Sequence, residues 1–301
     1  MRRFWVLVLA VFIVGAGAVA AYAVIGRDSD PPAAAAVHHH SGPLHIRKWM
    51  LASHRHVRVR PPGGYGHRRS TVPVLSEGAH GAAVVRLQQL LASQGYLPVS
   101  FHPSGPRPLY PWAPRPGKMV VRYTSLPGLA SQWQTGQFGP VTKGAVMTFQ
   151  AHHGLPVDGV AGEQVWNALE RHGAKPNPVG YVNVVVRETL PESITIYRDG
   201  RPVFSSAANT GIPQAPTAQG TFPVYLRYTS TTMSGTNPDG SHYSDPGVPW
   251  VSYFNGGDAV HGFLRSSYGS PQSLGCVELP YSAAQQAFRL MNYGTLVTVT
   301  A

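Results

Sequence analysis

A chain of 301 residues holds one cysteine, Cys276. It lies in Pro271-Gln272-Ser273-Leu274-Gly275-Cys276-Val277-Glu278, a stretch poor in strand formers, where backbone N–H groups can point at one spot. His261-Gly262 lies 15 residues upstream, at the end of an expected strand. Between them Ser266, Ser267, Tyr268, Gly269 and Ser270 read as a loop over a cleft. A thiol attacks as the thiolate, and at neutral pH it needs a base or a cation beside it. A histidine at a strand end and a cysteine just past the next loop can meet. Spacing permits that contact without establishing it. A lone cysteine is more often an inert core residue. It does exclude an internal disulfide and cysteine-based zinc or iron–sulfur sites.

The elements that must position this pair are short strands. Residues 181–187 are dense in valine, and 193–198 and 201–206 flank Asp199-Gly200, a strong two-residue hairpin signal. Residues 222–228 alternate like a strand. Residues 249–254 and 258–263 follow, joined by Asn255-Gly256-Gly257. The segment 281–292 is the one clear helix, with Gly294 after its end, and 296–300 is a closing strand. Residues 234–243, with Asn237-Pro238-Asp239-Gly240, read as a mobile flap near the entrance. This pattern over 179–301 predicts a compact, mainly β domain, a barrel or a sandwich.

The rest of the chain places that domain outside the cell. Arg2 and Arg3 precede an uncharged run over 4–25, long enough as a helix to span a bilayer at about 1.5 Å per residue. Residues 1–26 are therefore a membrane anchor or, given Ala21-Tyr22-Ala23, a cleaved signal peptide. Residues 27–72 hold eight Lys/Arg against two acids, with Pro31-Pro32, an alanine run and three consecutive histidines. They read as a basic, disordered tether that meets an anionic wall polymer or lipid. Lys+Arg total 24 against 13 Asp+Glu, a balance that suits a polyanionic neighbour. No nucleic-acid motif accompanies the charge, so nucleic acid is not expected as a partner. Gly and Pro make up about a fifth of the chain, which excludes a coiled coil, a helical repeat and a polytopic membrane protein.

Residues 73–173 carry a split three-helix pattern. Val84, Leu87, Leu90 and Leu91 share one helical face, and Gly95-Tyr96 ends that helix. A second helix starts near Pro140, with Ala145, Val146 and Phe149 on its apolar side. A third carries Val165, Trp166 and Leu169. The spacing Gly81…Leu87-Gln88…Gly95-Tyr96, Phe138-Gly139-Pro140…Phe149-Gln150…Gly154-Leu155…Asp158-Gly159-Val160…Trp166 resembles the peptidoglycan-binding domain 1 family, a small three-helix module. Where the family has a short link, residues 97–134 intervene, rich in proline and aromatics, with four bases and no acid. This insertion is either a disordered loop or an additional wall-binding surface. Binding of glycan and stem peptide is what the resemblance implies.

Residues 181–301 resemble the L,D-transpeptidase catalytic domain (YkuD-like). The resemblance rests on His261-Gly262…Ser273-Leu274-Gly275-Cys276-Val277 and, upstream, Asn209-Thr210-Gly211 and Pro216-Thr217-Ala218-Gln219-Gly220-Thr221-Phe222. Two positions depart from it: Leu274 stands where the family has a second histidine, and Glu278 where it has Arg or Asn. The resemblance implies a cell-wall enzyme that forms 3→3 crosslinks between peptidoglycan stem peptides through a cysteine acyl-enzyme. Cys276 is then the nucleophile, His261 its base, and the Gly262 carbonyl the acceptor that orients the imidazole. His261 is expected to take the Cys276 proton, giving the imidazolium–thiolate pair that attacks. Gly275 and Cys276 amides, with Leu274, form the oxyanion hole. Ser273 is either a turn former or a hydrogen-bonding site residue. Tyr253, Asn255, Leu274, Thr210 and Gly211 are expected to line the substrate cleft, and Glu278 to meet a cationic group of substrate or protein. No cofactor and no metal are expected. The alternatives are an L,D-carboxypeptidase with the same pair and a non-catalytic wall-binding protein.

Overall fold

A computed structural model of the chain describes residues 72–110, 112–170 and 176–301. The expected membrane segment and all of the basic tether except Val72 lie outside them. Among the described residues no helix is long and apolar enough to cross a membrane. The described residues fall in one compact unit.

The helical part contains α1 (Ala82–Ser93), a hairpin of β1 (Val99–Pro103) and β2 (Gly117–Val121), the one-turn α2 (Leu129–Gln132), α3 (Pro140–His152) and α4 (Glu163–Glu170). Its core gathers the expected faces: Val84, Leu87 and Leu91 of α1, Val146 and Phe149 of α3, Val165, Trp166 and Leu169 of α4. Tyr96 packs edge-on against Phe149. Two buried glutamines fix how the helices meet. The Gln88 amide donates to Gln137 O (2.9 Å) and to Thr142 Oγ1 (3.0 Å), and its oxygen accepts from Gly136 N (2.8 Å). Gln150 donates to Asp158 Oδ1 (2.6 Å) and accepts from Gly159 N (2.9 Å), closing the Asp158-Gly159 turn on α3. A buried amide left unmatched costs about 1–3 kcal/mol, so each glutamine specifies its turn.

The insertion is ordered over its described residues, which corrects the disordered-loop expectation. β1 and β2 pair antiparallel from Val99↔Val121 to Pro103↔Gly117. The Gln89 side chain reads both polar groups of the Arg115 backbone, at 2.8 and 2.9 Å, and pins the hairpin to α1. Leu126 and Leu129 are buried in the helical core. Proline and glycine density suggested a loop. The alternation that forms the hairpin was too short to stand out, and its partners on α1 are tertiary.

The β part holds β3 (Val182–Arg187), β4 (Ser193–Arg198), β5 (Arg201–Ala207), β6 (Gly220–Pro223), β7 (Leu226–Thr236), β8 (His242–Asn255), β9 (Asp258–Gly262), β10 (Val277–Leu279), α5 (Tyr281–Leu290) and β11 (Leu296–Thr300). They form two sheets, ordered β5-β4-β3-β11-β6 and β10-β9-β8-β7. Of the two shapes expected, the sandwich-like one holds, with two separate sheets and no closed barrel. The expected single strand over 222–228 is two strands in different sheets. Pro223 removes a donor. Next, Val224 N reaches Thr295 O and Tyr225 N reaches Tyr253 O, so the chain changes sheets between neighbouring residues. The expected flap is also different: the β7–β8 ladder continues to Thr236↔His242, and only a tight turn remains beyond it. Asp239 stabilises that turn by accepting from Ser241 N (2.9 Å) and Ser241 Oγ (2.6 Å). At the other hairpin Asp199 and Gly200 both take positive φ, 50° and 77°, as the Asp-Gly signal requires.

The helical and β parts share a core, to which Tyr181 and Leu296 belong. Tyr123 of the insertion stacks on Tyr181 and donates to Asp199 Oδ1 (2.8 Å). Thr148 of α3 donates to Tyr293 O (3.0 Å). A Cβ on Gly144 would stand 2.5 Å from Gly294 O. Alanine in a helix interior usually gains about 1 kcal/mol over glycine. Here the forced separation outweighs that gain, at about 1–3 kcal/mol of overpacking. Gly144→Ala is therefore expected to lower the melting temperature. Gly162→Ala, where a Cβ meets open space, leaves it unchanged or raises it. Thermal unfolding of the two variants checks this.

Candidate active site

Two short parallel strands bring the chemistry together. β9 ends in His261-Gly262, and β10 starts immediately after Cys276. Their register sets Val277 beside Val260 and Glu278 beside His261. Side chains alternate along a strand, so Cys276, two residues before Glu278, shares the face that carries His261. The sequence-expected pair is thus set on one face of neighbouring strands, offset by two positions.

His261 is buried, and its Nδ1 lies 3.1 Å from Gly262 O. That bond assigns the proton to Nδ1 and leaves Nε2 as the acceptor, as a general base requires. Burial lowers the imidazole pKa, against the raising influence of the Gly262 carbonyl and of Glu278. Cys276 is half-buried, and its thiol donates to Gly257 O at 3.6 Å. Burial pushes that thiol up to about 12, and the Ala259 amide works against this by favouring the thiolate. Both directions favour uncharged partners. Burial thus disfavours the charged form of each group. The physical reason is desolvation: two separated charges are costly where little water reaches them.

The turn that carries Cys276 is fixed from three sides. Gly275 has φ +110°, and a Cβ there would lie 2.5 Å from Asp258 Oδ1. Ser273 is buried, donates to Cys276 O (2.6 Å) and accepts from Gly275 N (3.2 Å). It is thus a turn former, and it occupies the Gly275 amide that was expected in the oxyanion hole. Beneath the turn, Ser273 and Gln272 both donate backbone N–H bonds to Thr210 O, and Ile212 N donates to Ser273 O. Thr210 is itself gripped by the buried Glu192, whose carboxylate accepts from Thr210 N and Oγ1, both at 2.7 Å. Gly211 N donates to Thr217 Oγ1 (2.9 Å), and a Cβ on Gly211 would lie 2.2 Å from Ala215 O. Thr210 and Gly211, expected in the cleft, are instead buried supports of the turn that carries Cys276. Close packing of backbone on backbone is the reason this segment needs those two residues.

Tyr253 and Asn255 sit at the end of β8, both partly exposed. Tyr253 packs beside Cys276 in a small cluster with Val248, Val251 and Ala259. Burial and then the nearby thiol push its phenol up to about 12. Tyr225 and Tyr228 flank its ring. Asn255 is 3.5 Å from Asp258 Oδ2. Leu274 is partly exposed beside the cysteine. Among the described residues no three His, Cys, Asp or Glu side chains converge as a metal site.

Sequence reasoning missed three residues. Asp258 accepts from Ala218 N (3.1 Å) and backs Gly275. Asn209 is buried, donates to Ser267 O (3.1 Å) and accepts from Gly269 N (2.9 Å), tying down the loop before the cysteine. Arg265 is the group that Glu278 meets. It is the one Lys or Arg between His261 and Cys276, and that was the available signal.

Residues 181–299 match the L,D-transpeptidase catalytic domain family, and residues 124–169 match a peptidoglycan binding domain family. The zinc D-Ala-D-Ala carboxypeptidase of Streptomyces albus G is 42% identical over 53 residues, which are 17% of this chain and 21% of that protein. The solved catalytic domain of the Enterococcus faecium L,D-transpeptidase is 27% identical, covering 40% of this chain and 96% of that one, with a TM-score of 0.37. A longer E. faecium L,D-transpeptidase structure is 25% identical, covering 42% and 52%, with a TM-score of 0.37. An L,D-transpeptidase from Mycobacterium smegmatis is 24% identical, covering 40% and 58%, with a TM-score of 0.36. The chain thus spans about a fifth of the curated relative and about half of the longer solved relatives. It joins a peptidoglycan-binding domain to a catalytic domain of the L,D-transpeptidase (YkuD) family.

Proposed function

We propose that this protein is a cell-wall L,D-transpeptidase that acts outside the cytoplasm and forms 3→3 crosslinks between peptidoglycan stem peptides. The observation that carries the reading is the β9–β10 register, which sets a base-ready His261 and Cys276 on one face. As Cys276 Sγ attacks the carbonyl carbon of the third stem residue, His261 Nε2 takes the thiol proton. The amides of Leu274 and Cys276 stabilise the oxyanion, since Ser273 occupies that of Gly275. Losing one such donor costs on the order of 10²–10³ in rate. The bond to the fourth residue breaks, and His261 returns the proton to its amine. A thioester remains. The side-chain amine of a second stem attacks it, His261 takes the amine's proton, and the thiolate leaves and is reprotonated. Tyr253 and Asn255 border the bound stem. Leu274 costs the turn no backbone donor, so its departure from the family leaves this chemistry intact.

The remaining readings concern where the enzyme is held. The 4–25 run tethers it to the membrane or is removed on export. The basic stretch 27–72 meets anionic wall polymer or lipid. The insertion adds to wall contact: Leu109 is 97% exposed, Tyr110 is 63% exposed and stacks with Trp112, and no acid lies within 97–134.

The central test is intact mass after incubation with a carbapenem, the inhibitor class named with several solved relatives, and with a disaccharide-tetrapeptide. An adduct is expected in the native chain and absent in Cys276→Ala. Crosslinked dimer in the supernatant is expected as well. Free tripeptide without dimer would make the protein a carboxypeptidase. No adduct on folded, wall-binding protein would make it a binding protein.

The pH dependence follows from the burial of this pair. A lowered imidazole pKa keeps His261 able to accept a proton at pH values where an ordinary histidine, near 6.5, is already charged. Acylation is therefore expected to persist below about pH 6 and to fall only as His261 protonates. With the thiol pushed up to about 12, alkylation of Cys276 by iodoacetamide should keep climbing beyond about pH 9. A plateau near neutral pH would mean a preformed thiolate.

For the insertion, Leu109→Ser with Tyr110→Ser should reduce co-sedimentation with purified sacculi severalfold and leave carbapenem acylation unchanged. Unchanged sedimentation would confine wall binding to the three-helix core.

A further inference from the structure

Glu278 is an anomaly on electrostatic grounds. It is almost fully buried, sits on β10 directly beside His261, and lies two residues past the nucleophile. An unpaired carboxylate there would oppose formation of a thiolate and would hold the base protonated. The structure shows its partner. Arg265 Nε is 2.7 Å from Glu278 Oε2, and Arg265 Nη2 is 2.8 Å from Oε1. Two parallel bonds in a planar fork make the strongest form of such a pair. The same Nη2 donates to Gln272 O (3.2 Å), and the guanidinium lies over the Phe263 ring at 4.7 Å. The Arg265 backbone N–H donates to Tyr268 Oη (3.2 Å), and Tyr268 donates to Phe263 O (2.6 Å). One side chain therefore engages both ends of the 263–272 segment and the strand that follows the cysteine.

We propose that Arg265 is a positioning residue for the reaction. It cancels the Glu278 carboxylate beside the Cys276–His261 pair, and it fixes the segment that links the histidine strand to the nucleophile turn. The inference rests on the proposed Cys–His chemistry, but its own readout does not need turnover.

That readout is the titration of the His261 imidazole in the full chain, followed by NMR and assigned by its loss in His261→Gln. The charged groups that act on His261 are Glu278 on β10, Arg265 after β9 and Asp245 on β8. In Arg265→Gln the carboxylate is left uncompensated, and the His261 midpoint should rise by about one pH unit. In Glu278→Gln the guanidinium is left alone, and the midpoint should fall. The double variant should return near the native value. Arg265→Lys keeps the charge but loses the fork. It should keep the midpoint and slow carbapenem acylation several-fold. Shifts of the two single variants in the same direction, or no shift in either on folded protein, would overturn the proposal. If either single variant fails to fold, the neutral double variant and the charge-swapped Arg265→Glu/Glu278→Arg still decide. Recovery of folding and of the native midpoint in both supports the pair, and recovery in neither rejects it. Opposed shifts in a protein that never forms an acyl adduct would reject the transpeptidase reading and leave the pair standing.

Discussion

The structure depends on the register of two short parallel strands. With Glu278 beside His261, the cysteine two residues earlier falls on the histidine's face. A slip of one residue would turn Cys276 to the opposite side of the sheet. Two strands of five and three residues cannot hold such a register alone. Much of the surrounding structure serves to hold it.

The support comes from below and from the flank. Glu192 holds Thr210, Thr210 holds Ser273, and Ser273 closes the turn over the cysteine carbonyl. Asn209 exchanges backbone hydrogen bonds with Glu278 and ties the approaching loop with its side chain. Asp258 stands where any side chain at residue 275 would have to be. Glu192, Thr210, Ser273 and Asn209 are buried and hydrogen-bonded, and Asp258 is half-buried, which is what lets these groups specify one geometry instead of merely tolerating it. The thiol that results is half-covered, and burial disfavours its charged form.

The helical module is not a bead on a string. Its insertion carries Tyr123 to the Asp199-Gly200 hairpin, and its α3 meets the Gly294 turn through a glycine contact that admits no Cβ. The helical and β parts thus belong to one compact unit. The glutamines that earned the module its family resemblance, Gln88 and Gln150, are the buried amides that fix its turns. The matched pattern is mostly architecture.

The sequence by itself determined the parts that obey local rules. Apolar spacing of 3.6 located α1, α3 and α4, and the helix expected over 281–292 contains all of α5. Asp199-Gly200 marked its hairpin, and the Gly-Cys turn and the His-Gly strand end pointed to the candidate pair. The tertiary structure decided everything that rests on partners distant in the chain. Residues 222–228 alternate as one strand, yet neighbouring backbone groups bond to different sheets. Residues 234–243 carry turn signals, yet a cross-strand ladder orders all but the tip. Thr210 and Gly211 lie in a family motif and were read as cleft residues, yet backbone packing buries them. Spacing pointed to a Cys276–His261 pair, and only burial shows that the charged form of each group is disfavoured. Desolvation is a property of the packed environment and leaves no mark on the order of residues.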